Sequence, residues 1–243
     1  MTPLVAAQLV ACAYVPGTPL PAAWSLVAPI FGNDLATDLL PLPIKVEVPF
    51  GFIARSGPDF AVAIRGSQTV FDWIQDCRFL RVLTTHGELD DGMAAVAESL
   101  SVGDTPLWLT IQNLMLACQG SSLTITGHSL GGALAHIVAR LVADLRPDVI
   151  TFAAPRAGSR AWAMEYDALL KIKTLRYEAR FDLIPHLPPT EFGVESVGTL
   201  KSIGPFPSPI WDLKAHHILE HYIALLEAEQ ANAIRANLPP VQG

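Results

Sequence analysis

The sequence predicts an α/β fold: a largely parallel central sheet with helices on both faces. Three observations carry this. Apolar, β-prone runs alternate with helix-like runs through most of the chain, and parallel strands need long crossovers that helices usually supply. The chain has 243 residues, 51% of them hydrophobic, with no compositional break, so one large core over residues 1–243 is expected. Finally, Thr126-Gly127-His128-Ser129-Leu130-Gly131-Gly132 sets a serine among glycines where a β run meets a helix run, as a sharp strand-to-helix turn requires.

The elements follow in order. Residues 4–13, rich in Ala, Leu and Val, read as a first helix. Strands are expected at about 46–54 and 60–65, with the Pro-rich stretch at 39–49 as an ordered loop. Residues 69–77 are expected to form a short helix acting as a mobile lid: Thr69 and Asp72 make a capping-box-like start, and Val70, Trp73, Ile74 and Cys77 form an apolar stripe. Helices at 92–101 and 105–118 precede a strand at 122–126. The run at 130–144 has a helical stripe at Leu130, Ala133, Leu134, Ile137, Val138 and Leu141. Strands at 148–153 and 172–179 flank a helix at 159–170, and a second Pro-rich loop at 204–209 precedes the last helix, at 217–229.

Composition narrows the function. The formal net charge of −7 leaves no basic stripe for a nucleic-acid backbone, so no nucleic-acid partner is expected and a neutral or apolar substrate fits better. No run reaches the roughly eighteen uninterrupted apolar residues of a membrane span, so the chain is expected to be soluble. The first basic residue is Lys45, so the positive n-region of a secretory signal is lacking; the default expectation is a cytoplasmic chain, or a secreted one if a leader has been removed. Cys12, Cys77 and Cys118 are odd in number and far apart, which suggests free thiols, with one disulfide plus one free thiol as the alternative.

In such a sheet, ligands gather at the carboxyl ends of the strands. A serine there, at a helix N-terminus, is expected to present an exposed hydroxyl, with the Leu130 N–H and the helix dipole placed to stabilise an oxyanion. It needs a base, and the base needs an orienting acid. Asp144 and Asp167 fall in helical patterns and Asp148 starts a strand, at the wrong edge of the sheet; Asp182 follows the β run 174–179 and sits on a carboxyl-end loop. Of the histidines beyond it, His186 lies too close in sequence and is expected to shape the Asp182 loop. His128 is expected to pack, and His86 and His136 to satisfy local hydrogen bonds. The base should therefore come from His216, His217 and His221. Ala63-Ile64-Arg65-Gly66-Ser67 offers a second oxyanion donor, or else a plain turn.

His217-Ile218-Leu219-Glu220-His221 also matches the H-x-x-E-H zinc pattern. That reading needs a third ligand, for which only Glu227 and Glu229 remain downstream, and it leaves Ser129 and Asp182 unexplained.

Together these motifs resemble the class 3 lipase family, the fungal-type lipases of the α/β-hydrolase fold, over roughly residues 46–226. The matches are Arg65-Gly66-Ser67 with Asp72-Trp73, then Gly127-His128-Ser129-Leu130-Gly131-Gly132, then Thr151-Phe152-Ala153-Ala154-Pro155-Arg156-Ala157-Gly158, and Asp182-Leu183-Ile184-Pro185-His186-Leu187-Pro188-Pro189. The resemblance implies Ser129 as nucleophile, Asp182 as orienting acid, and Ser67 with Leu130 as oxyanion donors. It favours His217 as base, since family members often place a tyrosine five residues later and Tyr222 stands there. One departure is Asp90-Asp91-Gly92-Met93, where the family usually shows His-x-Gly-Phe.

The implied activity is hydrolysis of acylglycerol or related lipid esters through an acyl-serine, without metal or cofactor and with transient contact to a lipid interface. Short-chain, phospholipid or aromatic esters are the alternative substrates. The zinc metallohydrolase and a non-catalytic hydrolase-like binding module are the distant ones.

Overall fold

Residues 1–33, 47–67, 91–205 and 213–236 are described by a computed structural model. Their strands are β1 (Ser25–Asn33), β2 (Glu47–Ser56), β3 (Asp59–Ile64), β4 (Ser101–Val102), β5 (Thr105–Pro106), β6 (Ser122–His128), β7 (Asp148–Phe152), β8 (Gly158–Ser159), β9 (Thr174–Ala179), β10 (Val194–Glu195) and β11 (Thr199–Ile203). The helices are α1 (Pro3–Tyr14), α2 (Asp91–Ser99), α3 (Leu107–Ala117), α4 (Leu130–Leu141), α5 (Arg160–Leu170), α6 (Leu213–His217) and α7 (Leu219–Ala236).

The main sheet has the order β11-β9-β7-β6-β3-β2-β1-β4-β5, and β8 with β10 forms a small ribbon. Neighbours among β3, β6, β7, β9 and β11 pair in parallel. β2 pairs antiparallel with β3 and β1, and β4 with β1 and β5. Within this sheet only β2 and β4 therefore run against the rest, which makes it largely parallel, with α/β crossovers.

β3 shows how the two faces are filled. Phe60, Val62 and Ile64 point into a core built with Met93, Leu107, Ile111, Leu134 and Tyr166. Ala61 and Ala63 point the other way, with Ala54, to meet Ala6 and Ala7 of α1 and Tyr222 of α7. A strand buried on both faces reads as a continuous apolar run, and the small residues let α1 lie close against the sheet, where it packs on α7 and on β2, β3, β6 and β7.

Several boundaries differ from expectation. β1 and β11 are additional strands. β1 carries Pro29 and Gly32 inside it and has two register irregularities, features that mask a strand in sequence; β11 is an edge strand with four of its five residues exposed. The helix expected at 92–101 ends at Ser99, and a hairpin of β4 and β5, turning at Gly103 with φ 57°, precedes α3 at Leu107. The helix expected to run to 144 ends at Leu141, before a 3-10 turn at Ala143–Leu145. The helix expected at 217–229 is two helices, separated at Ile218. The expected lid at 69–77, with Cys77, lies outside the described residues, as do His86, 39–46 of the first Pro-rich loop and 206–209 of the second. Cys12 and Cys118 are free thiols. No described helix is long and apolar enough to cross a membrane.

Candidate active site

The site forms at the carboxyl ends of β3, β6 and β9. β6 ends at His128 and α4 begins at Leu130, so Ser129 occupies the turn between them, with φ 57° and ψ −130°. Its N–H donates to the Phe152 carbonyl at 2.9 Å, which anchors the turn to the end of β7. A side chain at Gly127 would run into the backbone of Gly131, which is why this turn needs glycine before the serine. Leu130 opens α4, so its N–H stands at the positive end of the helix.

The structure brings Ser129, His217 and Asp182 together in one buried row. His217 Nε2 lies 3.0 Å from Ser129 Oγ, and His217 Nδ1 lies 3.0 Å and 3.2 Å from Asp182 Oδ2 and Oδ1. The three are 1%, 3% and 1% exposed in the order serine, histidine, acid, which corrects the expectation of an exposed serine hydroxyl. The His217 ring covers Oγ from one side, and the loop at Gly66 abuts the serine Cβ from another.

Asp182 follows β9 by three residues, and Phe181 before it takes φ 73°. The carboxylate is well supplied with donors: Oδ1 accepts the Ile184 N–H at 3.0 Å, and Oδ2 accepts the Tyr222 hydroxyl at 2.7 Å. Tyr222 in turn accepts the Ala179 N–H at 2.9 Å. Burial first, and then the Asp182 charge, raise the tyrosine's pKa well above its usual value, so its proton stays in place to be donated. Arg156 clasps the same loop by donating to the carbonyls of His186 and Pro188. The His186 backbone thus shapes the loop while its side chain is exposed. In the sequence Tyr222 is only a spacing mark and Arg156 has no assigned role, since neither contact is local in the chain.

The other candidates go elsewhere. Asp148 pairs with Lys173 at 2.8 Å, and Asp167 pairs with Lys171 at 3.1 Å while accepting the Gly198 N–H at 2.7 Å. His216 is buried between the rings of Phe181 and His221. His136 meets Thr151 Oγ1 at 3.2 Å. His128 is buried with both ring nitrogens hydrogen-bonded, to Tyr14 Oη and to the His217 carbonyl. Desolvation, reinforced by His217, pushes the His128 pKa down to about 3, and desolvation with Arg176 nearby pushes that of His136 to about 3.

The loop carrying Ser67 is clamped from behind. Arg65 is buried, donates from Nε to the Pro49 carbonyl and from Nη1 to the Gly66 carbonyl, both at 2.7 Å, and lies over the Phe50 ring. Ser67 follows, half-buried. The zinc pattern fares differently: the break at Ile218 takes His217 and His221 off a common helix face, and Glu220 is exposed. Among the described residues no group of three or more His, Cys, Asp or Glu is arranged to hold a metal ion.

The chain is similar to several known proteins. The profile of the family described as Lipase (class 3) matches residues 61–192, more than half of the chain. A secreted mono- and diacylglycerol lipase of Malassezia globosa is 34% identical over 96 residues, covering 37% of this chain and 31% of that protein. A phospholipase A1-IIgamma of Arabidopsis thaliana is 29% identical over 200 residues, covering 68% of this chain and 47% of its own length. The chain thus spans about a third to a half of the curated relatives it matches. Among solved structures, a lipase from Rhizopus microsporus var. chinensis superposes with a TM-score of 0.62 at 23% identity, covering 84% of this chain and 73% of that one. At that identity the likeness speaks for the fold.

Proposed function

Because the chain belongs to the class 3 lipase family, we propose that it hydrolyses acylglycerol or related lipid esters through an acyl-Ser129 intermediate. The observation that carries the reading is the buried row in which one histidine faces a serine hydroxyl with one nitrogen and a carboxylate with the other. That is the arrangement a hydroxyl needs to become a nucleophile.

In this mechanism Ser129 Oγ attacks the ester carbonyl carbon as its proton passes to His217 Nε2. Asp182 accepts the Nδ1–H, which fixes the tautomer and stabilises the imidazolium. The carbonyl oxygen takes up the electron pair, facing the Leu130 N–H together with the N–H and hydroxyl of Ser67. When the tetrahedral intermediate collapses, the bond to the leaving alcohol breaks and His217 Nε2–H protonates that oxygen. A water then gives its proton to the same nitrogen and attacks the acyl carbon. The carboxylic acid leaves and Oγ regains its proton. No step calls for a metal or cofactor.

Neutral glycerolipids are the substrate class proposed first. The net charge of −7 works against anionic lipid surfaces, and one relative bears the name mono- and diacylglycerol lipase. The phospholipase A1 name of another keeps phospholipids in the comparison, so diacylglycerol and phosphatidylcholine belong in one assay beside nitrophenyl esters of graded chain length.

The deciding experiment is Ser129→Ala. Turnover should fall by about 10⁶-fold if the three residues act as a unit, labelling by a fluorophosphonate should vanish, and the melting temperature should hold. Wild-type activity should survive exhaustive chelation. Comparable hydrolysis by the mutant, or absence of both labelling and turnover in the wild type, overturns the reading and leaves a hydrolase-like binding module in its place.

A further inference from the structure

We propose that Tyr14 and His128 are positioning residues that join the oxyanion loop to the general base through one hydrogen-bonded row of fixed polarity. The inference rests on the serine-hydrolase reading above. Neither side chain is given a role by that reaction, yet both stand between parts of it that must keep register.

The row has three links. Gly66 N–H donates to Tyr14 Oη at 2.8 Å, Tyr14 Oη meets His128 Nδ1 at 2.8 Å, and His128 Nε2 meets the His217 carbonyl oxygen at 2.7 Å. The direction of each proton follows from the chemistry of the ends. A carbonyl only accepts, so the hydrogen sits on Nε2. Burial keeps this imidazole neutral, so Nδ1 is bare and accepts a hydrogen bond from the Tyr14 hydroxyl. The tyrosine oxygen is then left to accept from Gly66. Each donor has one acceptor, and reversing any link would set two donors or two acceptors face to face.

The partners lie 52, 114 and 89 residues apart, on the loop after β3, the end of α1, the end of β6 and the junction of α6 with α7. The packing is tight at the loop: a Cβ on Gly66 would stand 2.7 Å from Tyr14 Oη, 2.8 Å from the His128 carbonyl oxygen and 2.9 Å from Ser129 Cβ. Glycine there lets the loop lie directly against the nucleophile. With the Gly66 N–H turned to Tyr14, the oxyanion donors of this loop fall to the next residue, Ser67. At the far end the His217 carbonyl is tethered while its ring reaches Ser129 and Asp182. The His128 and His217 rings also pack, with centroids 4.9 Å apart.

The test measures wild type, Tyr14→Phe, His128→Gln and the double variant on nitrophenyl butyrate. Glutamine still reaches the His217 carbonyl as a donor but offers nothing at the Nδ1 position. An oxyanion pocket acts on the transition state alone, so Tyr14→Phe should lower kcat about tenfold to a hundredfold while KM stays within about twofold. His128→Gln should lower kcat to a similar degree, and the double variant should be no worse than the poorer single, because the row is already cut at the same link. His128→Asn, which restores an acceptor near Nδ1 and loses the tether to His217, should make Tyr14→Phe costly again. A kcat within about twofold of wild type in Tyr14→Phe, a loss confined to KM, or fully additive losses would overturn the inference. If Tyr14→Phe does not fold, the same kcat criterion applied to His128→Gln decides. A wild type without serine-dependent turnover refutes the enzymatic reading instead, so the two failures are distinct.

Discussion

Ser129 sits at φ 57° and ψ −130°, a region that costs a residue with a side chain about 1–3 kcal/mol. The surrounding hydrogen bonds hold it there, and the hydroxyl is thereby aimed at His217 rather than along the strand. A second residue-scale question concerns two adjacent histidines, both buried. In one regular helix over 216–226, the core stripe of Leu219, Tyr222, Ile223 and Leu226 would turn His216 inward more than its neighbour. The chain instead interrupts the helix at Ile218, and the wheel no longer applies across the gap. His217 turns to Ser129 and Asp182, while His216 lodges between Phe181 and His221. Alanine substitutions assayed on one soluble ester should separate them. His217→Ala should lose about 10⁴-fold or more in kcat, with His216→Ala and His221→Ala within about tenfold of wild type. Collapse in His216→Ala with His217→Ala active would reassign the base.

At the scale of elements, α1 is the unexpected contributor, because a helix 115 or more residues before the elbow in sequence delivers Tyr14 to the His128 ring. It comes that near because β3 and β2 present alanine to it at positions 54, 61 and 63. Ala63→Leu should therefore overpack this face, costing about 1–3 kcal/mol as read by denaturant unfolding. Activity should fall beyond the loss of folded protein as α1 is pushed outward. An unchanged midpoint and unchanged kcat would show that α1 adapts freely.

Two expectations belong to the whole molecule. His128 and His136 are both held near pKa 3 when folded, against about 6.5 in an unfolded chain. Below about pH 6.5 the unfolded state binds protons that the native state refuses, so stability is full above that pH and falls as pH drops towards 3, by up to about 1.4 kcal/mol per pH unit per histidine. Thermal melting between pH 7 and pH 4.5 should show a steep drop, and a flat profile would mean that the two rings accept protons in place. Access is the other matter. Ser129, His217 and Asp182 are all closed from solvent, while Phe181, Leu183 and Ile218, their chain neighbours, are exposed. In the proposed reaction an ester must open this cover to reach Oγ, and apolar side chains beside Asp182 and His217 suit a lipid surface. The rate should therefore jump when an ester passes its solubility limit, whereas a smooth rise would speak against opening at an interface.

The sequence alone was sufficient for the parts that are local and periodic. Gly127, Ser129 and Gly131 declare a turn that only glycines permit, β3, β6 and β7 are apolar because both their faces are covered, and Asp182 falls where a β run ends. It also reduced the candidate base to three histidines, and the resemblance to the class 3 lipases favoured one of them through the tyrosine five residues on. β1 stayed hidden because Pro29 and Gly32 interrupt its pattern, and β11 because its edge position leaves it polar and held mainly by backbone pairing to β9. Which histidine faces the serine depended on a helix break that no periodicity announces. The Tyr222 bond to Asp182, the Arg156 clasp and the Tyr14–His128 row depended on contacts between residues far apart in the chain. Such contacts exist only once the sheet has set its strand order, and tertiary packing alone decided them.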